Sequence, residues 1–216
     1  EGNIKDLVEK IPKFRQPQVS EMLEKIEPKH LKVIKRVNIV PHKPNLSSYE
    51  SLAQKLDELG YSKTAERIRK KDDGFLGFGD FIHGLNRNDE IFIMVDSNME
   101  NTIAHEIGHS LFRKFMQKAN RDPSGDSFRV EQAINTLRFA QNNLGKILKK
   151  YIPNYDNLNE FAAELYRVGY NISTNWPVPK EVSTAVKNYL IKNKLWGIVP
   201  IVIGIDEQNE RSSGIP

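Results

Sequence analysis

Cysteine is absent from the 216-residue chain, which excludes disulfides, thiolate metal ligands and a thiol nucleophile. No segment approaches the roughly 18 uninterrupted apolar residues of a membrane span, so we predict no membrane span. The start of the chain lacks the charged and apolar regions of a signal peptide, and we expect any such peptide to lie outside this chain. Lack of cysteine suits a secreted bacterial protein or toxin-like domain and also many cytosolic proteins. Between these locations we favour secretion.

Positive charge is only modestly in excess, with a formal net charge of +4. The lysines are mainly dispersed, but basic residues are clustered at 67–71 and 146–150. Neither cluster is interleaved with aromatic residues, and the chain carries no nucleic-acid-binding motif. We therefore interpret both clusters as solvated helix faces and expect no nucleic-acid partner. We also expect the protein to be a monomer.

The run His105-Glu106-Ile107-Gly108-His109 has the pattern H-E-x-x-H. On a helix, residues i and i+4 share one face, so both imidazoles would point at the same place. This arrangement suits a tetrahedral Zn²⁺, with Glu106 as general base for metal-assisted hydrolysis. The helix is supported by apolar residues at helical spacing, namely Ile103, Ala104, Ile107, Leu111 and Phe112.

Glycine at position 108 is unusual within a predicted helix, because it costs on the order of 1 kcal/mol relative to alanine. Such a residue often has a packing reason. We expect close approach of another backbone, or of the metal site, at Gly108.

A third zinc ligand downstream of His109 must be a carboxylate, because no histidine follows that residue. Glu160 and Glu164 are candidates, spaced four residues apart on a second predicted helix. The segment Asn159-Glu160-Phe-Ala-Ala-Glu164 resembles the N-E-x-x-x-[D/E] arrangement of gluzincin metallopeptidases. That resemblance implies Glu160 as the third ligand and Glu164 as the carboxylate that orients a ligand histidine.

The order of predicted helices and strands indicates an α+β fold. We expect it to be mostly helical and zincin-like, with a small sheet before the H-E-x-x-H helix. The pattern predicts helices at 4–10, 18–26, 48–59, 62–69, 129–150, 157–169 and 180–193, and a strand at 31–40. Residues 74–82 and 89–95 would form a hairpin joined by a linker at 83–88. We expect a helical region at 1–73 packed on a catalytic domain at 74–216, as one compact unit.

The glycine-rich segment Gly77-Phe78-Gly79 is our candidate for the sheet edge that pairs with an extended substrate. The alternative is that these glycines only form bulges or turns.

The order of motifs over about residues 74–193 resembles the anthrax lethal factor-like metallopeptidases, the group that includes the bacterial Pro-Pro endopeptidases. The shared features are the hairpin leading into Thr102-Ile-Ala-His-Glu, the Glu160-Phe-Ala-Ala-Glu segment, and the Val178-Pro179 start of a last helix. The resemblance implies a tyrosine shortly before Glu160 that stabilises the oxyanion. Tyr155 is the preferred candidate and Tyr151 the alternative, although the family position falls between them, at Pro153.

These features together predict an endopeptidase that cleaves a protein or peptide with zinc-activated water. The Asn159–Leu165 segment is also similar to peptidases that cleave bacterial repressors, a regulatory alternative within the same chemistry. Two further alternatives are a zinc hydrolase for a non-peptide bond and a catalytically inactive zinc-binding interaction module. The presence of Glu106 argues against the last, since a structural zinc site has no use for a base.

Overall fold

The computed structural model describes most of the chain up to residue 192. The described residues are 2–71, 81–96, 99–120, 135, 138–139, 141–144, 146, 148–152, 158–170, 172 and 178–192. The helices are α1 (Gly2–Lys10), α2 (Gln16–Glu24), α3 (Pro28–Leu31), α4 (Ser48–Glu58), α5 (Ser62–Arg69), α6 (Met99–Asn120), α7 (Leu158–Gly169) and α8 (Lys180–Lys192). The strands are β1 (Arg36–Val40), β2 (Gly84–Arg87) and β3 (Glu90–Met94). Between 135 and 148, the described residues are helical.

Local sequence explains several helix boundaries. Proline lies in the first turn of α2 and of α3, where its missing N–H costs no helical hydrogen bond. Ser47 caps α4 by accepting a hydrogen bond from the Glu50 N–H at 3.1 Å. Gly60, at φ +84°, separates α4 from α5, because glycine adopts positive φ without steric cost.

The three described strands form one mixed sheet in the order β1-β3-β2. β1 is parallel to β3, with Val37 opposite Ile91, and β2 is antiparallel to β3, with Leu85 opposite Phe92. Every residue of β3 is buried because helices cover both faces of the strand. Ile91 and Ile93 face the main core with α6, and Phe92 and Met94 face a second core under α4 and α5.

Two strand predictions need correction. The strand predicted at 31–40 is confined to 36–40, since Leu31 ends the short α3. The predicted hairpin linker at 83–88 contains β2 itself, and the turn is Asn88-Asp89. Both turn residues have positive φ, 51° and 69°, as a two-residue type I′ turn requires. Asn86 stabilises the turn by accepting a hydrogen bond from the Asp89 N–H at 3.1 Å.

The predicted α+β class is confirmed, with mostly helical structure and a small sheet before the H-E-x-x-H helix. β1, from the predicted N-terminal region, shares its sheet with β2 and β3. The predicted boundary between residues 73 and 74 lies outside the described residues and stays a prediction. No helix in the described part of the chain is long and apolar enough to cross a membrane.

Candidate metal centre

The H-E-x-x-H residues lie on α6, with both imidazoles on one face. The Nε2 atoms of His105 and His109 are 3.0 Å apart, and the ring centroids are 4.6 Å apart. Opposite this face, Ile103 and Ile107 are buried in the main core. The apolar stripe therefore fixes the rotation of α6 and directs the histidines away from the core.

Gly108 allows α7 to approach α6 closely. A Cβ atom at position 108 would lie 2.7 Å from the carbonyl oxygen of Ala163 and 2.8 Å from its Cα. These are distances that real Cβ atoms essentially never show. The predicted close approach of another backbone at Gly108 is thus confirmed. The contact places Glu160 of α7, one turn before Ala163, beside the two histidines.

Glu160 reaches both histidines with its two carboxylate oxygens. Oε2 lies 2.8 Å from His105 Nε2, and Oε1 lies 3.1 Å from His109 Nε2. One ligand atom from each of the three residues lies within 4.8 Å of the others. The three side chains are only 15–18% exposed, so the donors share a partly shielded cleft.

The donor set is suited to zinc. Two imidazole nitrogens and one carboxylate oxygen are the protein ligands of many catalytic zinc sites, which keep a fourth position open. Ligand atoms at tetrahedral corners with bonds of about 2.0–2.1 Å are about 3.3 Å apart. The nitrogen–nitrogen and nitrogen–oxygen distances here, 2.8–3.1 Å, are within a few tenths of an ångström of that separation. Small side-chain movements would therefore be enough to admit the ion.

Glu164 holds His105 from the other side of the imidazole ring. Its Oε1 lies 2.6 Å from His105 Nδ1, the contact predicted for a carboxylate that orients a ligand histidine. A carboxylate at Nδ1 keeps the proton there and leaves Nε2 directed towards Glu160. Glu164 is 7% exposed, so little water competes for this bond.

Arg167, one turn later on α7, completes this arrangement. Its Nε donates to Glu164 Oε2 at 2.5 Å, and its Nη2 donates to the Tyr151 carbonyl at 2.9 Å. The guanidinium is buried and carries a positive charge in contact with the Glu164 carboxylate. Arg167 therefore fixes Glu164 and ties the segment around Tyr151 to the histidine side of the site.

The protonation of the metal-free site follows from these contacts. Burial alone would lower the pKa of His105, but hydrogen bonds to Glu160 and Glu164 outweigh burial and raise that pKa well above its usual range. Burial would likewise raise the pKa of Glu160, but hydrogen bonds from His105 and His109 lower it. Without metal, the site is thus an imidazolium held between carboxylates.

Glu106 is 7% exposed and directly follows His105 in the sequence. Burial raises the pKa of its carboxyl group, and the positive charges of His109 and His105 partly oppose that rise. A carboxylate whose pKa is raised towards neutrality is a stronger base than an exposed one. The position and environment of Glu106 fit the predicted general base.

Asn86 links β2 to the middle of α6, a contact that the sequence analysis missed. Its Nδ2 donates to the Glu106 carbonyl at 2.8 Å and to the Ser110 hydroxyl at 2.7 Å. Arg113 reaches back from α6 to Asn86 at 3.2 Å and to Asp89 at 2.8 Å. The helix that carries the motif is thereby fixed against the hairpin. In the sequence, the turn-forming Asn88-Asp89 pair is the signal that could have located this turn.

Of the remaining predicted site residues, only Tyr151 lies in the described part of the chain. Tyr151 is half-buried and packs against the main core, with the Lys150 ammonium 5.7 Å from its ring centroid. Its backbone carbonyl, through Arg167, is joined to the site. Tyr155 and the predicted substrate-binding edge at Gly77, Phe78 and Gly79 lie outside the described residues, and their roles stay predictions.

Comparison of the chain with protein-family models, with curated protein sequences and with solved structures found no match.

Proposed function

We propose that this protein is a zinc-dependent endopeptidase of the gluzincin type, with His105, His109 and Glu160 as metal ligands. The proposal rests mainly on one observation. The three predicted ligands come from two helices, with Glu160 lying 51 residues after His109 (160 − 109), and their donor atoms converge to 2.8–3.1 Å. Chance similarity to a five-residue motif would not supply a carboxylate at that place.

The bound zinc would supply Lewis acidity, polarising the scissile carbonyl and lowering the pKa of water. The chain's own groups do the rest. Glu164 holds the Nδ1 proton of His105, so that Nε2 remains available as a ligand. The carboxylate of Glu106 accepts a proton from the attacking water and later donates it to the leaving amine nitrogen.

The oxyanion donor follows from the resemblance to lethal factor-like peptidases, and the substrate edge from the resemblance to gluzincin folds. Tyr155 is the preferred donor and Tyr151 the alternative. An extended protein or peptide substrate would pair with the sheet edge predicted at 77–79. A secreted, monomeric, toxin-like enzyme remains the corresponding biological proposal.

The decisive experiment is cleavage of a peptide library by the zinc-loaded protein, with Glu106→Gln as the test variant. Glutamine retains the size of the side chain but cannot accept the proton, so we expect loss of turnover with zinc binding retained. Glu181→Gln, an exposed change at the start of α8, is the matched control and should retain activity.

Three results would contradict the proposal. Cleavage that persists after chelation, or in Glu106→Gln, would exclude the mechanism. Stoichiometric zinc without cleavage of any library member would favour the inactive binding module. Selective hydrolysis of ester or other non-peptide substrates would favour a different class of zinc hydrolase.

A further inference from the structure

A cavity of about 270 Å³ lies behind α6, between the N-terminal helices and the sheet. Ile103 and Ile107 of α6 line it, together with Ile91 of β3. Ile107 is two residues from each motif histidine, which places it about 200° around the helix from both imidazoles. The cavity is therefore separate from the candidate metal centre.

The interior of this cavity is apolar. Leu7 and Leu23 are buried, and Leu31, Ile34 and Val37 are half-buried. These side chains offer no hydrogen-bond partners to water, so an apolar occupant is favoured against them. The walls thus suit a hydrocarbon chain.

The exposed residues that line the cavity are mainly cationic. They are Lys10, Lys35 and Arg36, with Asp6 as the one acidic residue. Arg36 lies 3.8 Å from Glu90, whereas the described residues form no ion pair with the ammonium groups of Lys10 or Lys35. The mouth therefore has excess positive charge next to an apolar interior.

We propose that this cavity binds a medium-chain aliphatic carboxylate, with its alkyl chain against Ile103 and Ile107 and its carboxylate near Lys10 and Lys35. A cavity of about 150 Å³ accepts the six carbons of benzene, so 270 Å³ corresponds to about ten carbons. That chain is shorter than the acyl chains of ordinary membrane lipids, and the free acid is therefore the expected ligand.

Calorimetric titration of the full chain with decanoate at low ionic strength tests this site. We expect one molecule bound per chain, and octanoate to bind roughly fifteenfold more weakly, since each methylene contributes about a factor of four. Decanol should bind more weakly than decanoate, and decyltrimethylammonium more weakly still, because the mouth is cationic.

Two variants locate the ligand. Lys35→Glu should weaken decanoate binding roughly fivefold or more, whereas Lys32→Glu, on the same exposed segment but not lining the cavity, should leave it unchanged. Ile34→Trp, at a half-buried wall position, should fill part of the cavity and reduce binding of decanoate more than that of hexanoate.

The proposal is wrong if decanoate does not bind at millimolar concentration, or if Lys35→Glu and Ile34→Trp both bind as wild type does. Equal binding of decanoate and decyltrimethylammonium would refute the role of the lysines. Sedimentation with anionic phosphatidylglycerol vesicles, combined with no binding of monomeric decanoate, would show that this surface contacts a membrane instead. None of these outcomes depends on the zinc content or the peptidase activity of the protein.

Discussion

Replacing Gly108 with alanine tests whether the close packing of α6 on α7 creates the metal centre. The added Cβ would lie 2.7 Å from the Ala163 carbonyl oxygen, whereas ordinary contact begins at 3.4 Å. The helices must therefore separate by about 0.7 Å (3.4 − 2.7). Because the obstructing atoms belong to the backbone of Ala163, no side-chain rotation can relieve the clash.

The substitution has two effects of opposite sign on the free energy of unfolding. Alanine gains about 1 kcal/mol in helix propensity over glycine, while overpacking of a helix interface costs about 1–3 kcal/mol. We expect a net loss of up to about 2 kcal/mol. The metal site should suffer more, because a shift of about 0.7 Å exceeds the ±0.2 Å tolerance of metal–ligand distances.

Two measurements test this prediction. Competition with a chromophoric chelator gives the zinc affinity, and urea denaturation of the metal-free protein gives the stability. We expect at least tenfold weaker zinc binding by Gly108→Ala. Gly169→Ala is the matched control: its Cβ would meet mainly side-chain atoms of Leu190 and Val186, at 3.0 and 3.2 Å, so it should bind zinc as wild type does. Unchanged zinc affinity and stability in Gly108→Ala would refute this account of the interface.

Four further outcomes follow from the same structure. Arg167→Met should weaken zinc binding about 10- to 100-fold in the chelator assay, as loss of an outer-shell partner does, whereas Arg69→Met on α5 should not. Zinc at 100 times its dissociation constant should stabilise the fold by about 2.7 kcal/mol, so excess chelator should lower Tm by about 5–10 °C in calorimetry; no shift would contradict specific binding. Because the pKa of His105 is raised in the metal-free protein, zinc must displace the proton of this imidazole. Zinc affinity should therefore fall as pH decreases. Calorimetric titration in buffers of different ionisation enthalpy should detect the released proton. Asn86→Ala removes several hydrogen bonds at α6 and the turn and should cost about 2–4 kcal/mol in urea denaturation. Asn38→Ala, which loses a side-chain hydrogen bond to Glu90, should cost about 1 kcal/mol.

Helical periodicity in the sequence was sufficient to predict most of the elements. The helices predicted at 62–69, 157–169 and 180–193 are observed at 62–69, 158–169 and 180–192. Each has apolar residues on one face, and burial of that face follows from the pattern alone. Strand boundaries were predicted less well, because the β-branched Val33 and Ile34 resemble a strand locally although they lie between the end of α3 and the start of β1.

The hairpin shows why local pattern was insufficient. Residues 83–88 contain glycine and asparagine, which favour turns, yet Gly84–Arg87 pairs with β3. Tertiary contacts determine the outcome: Asn86 bonds to α6, and a Cβ at Gly84 would lie 2.6 Å from Thr102 Cγ2. Neither contact can be derived from residues near in sequence.

The sequence by itself determined the chemical groups of the candidate site: two histidines one helical turn apart, a glutamate between them, and a carboxylate pair downstream. It also predicted Gly108 as a point of close packing, since an interior helical glycine requires a reason. Only the tertiary structure decided that Glu160 meets both Nε2 atoms and that Glu164 binds Nδ1 of His105. The roles of Arg167 and Asn86 likewise depended on contacts across elements. The physical reason is that periodicity fixes which face a side chain occupies, whereas the distance between two faces depends on how the helices pack.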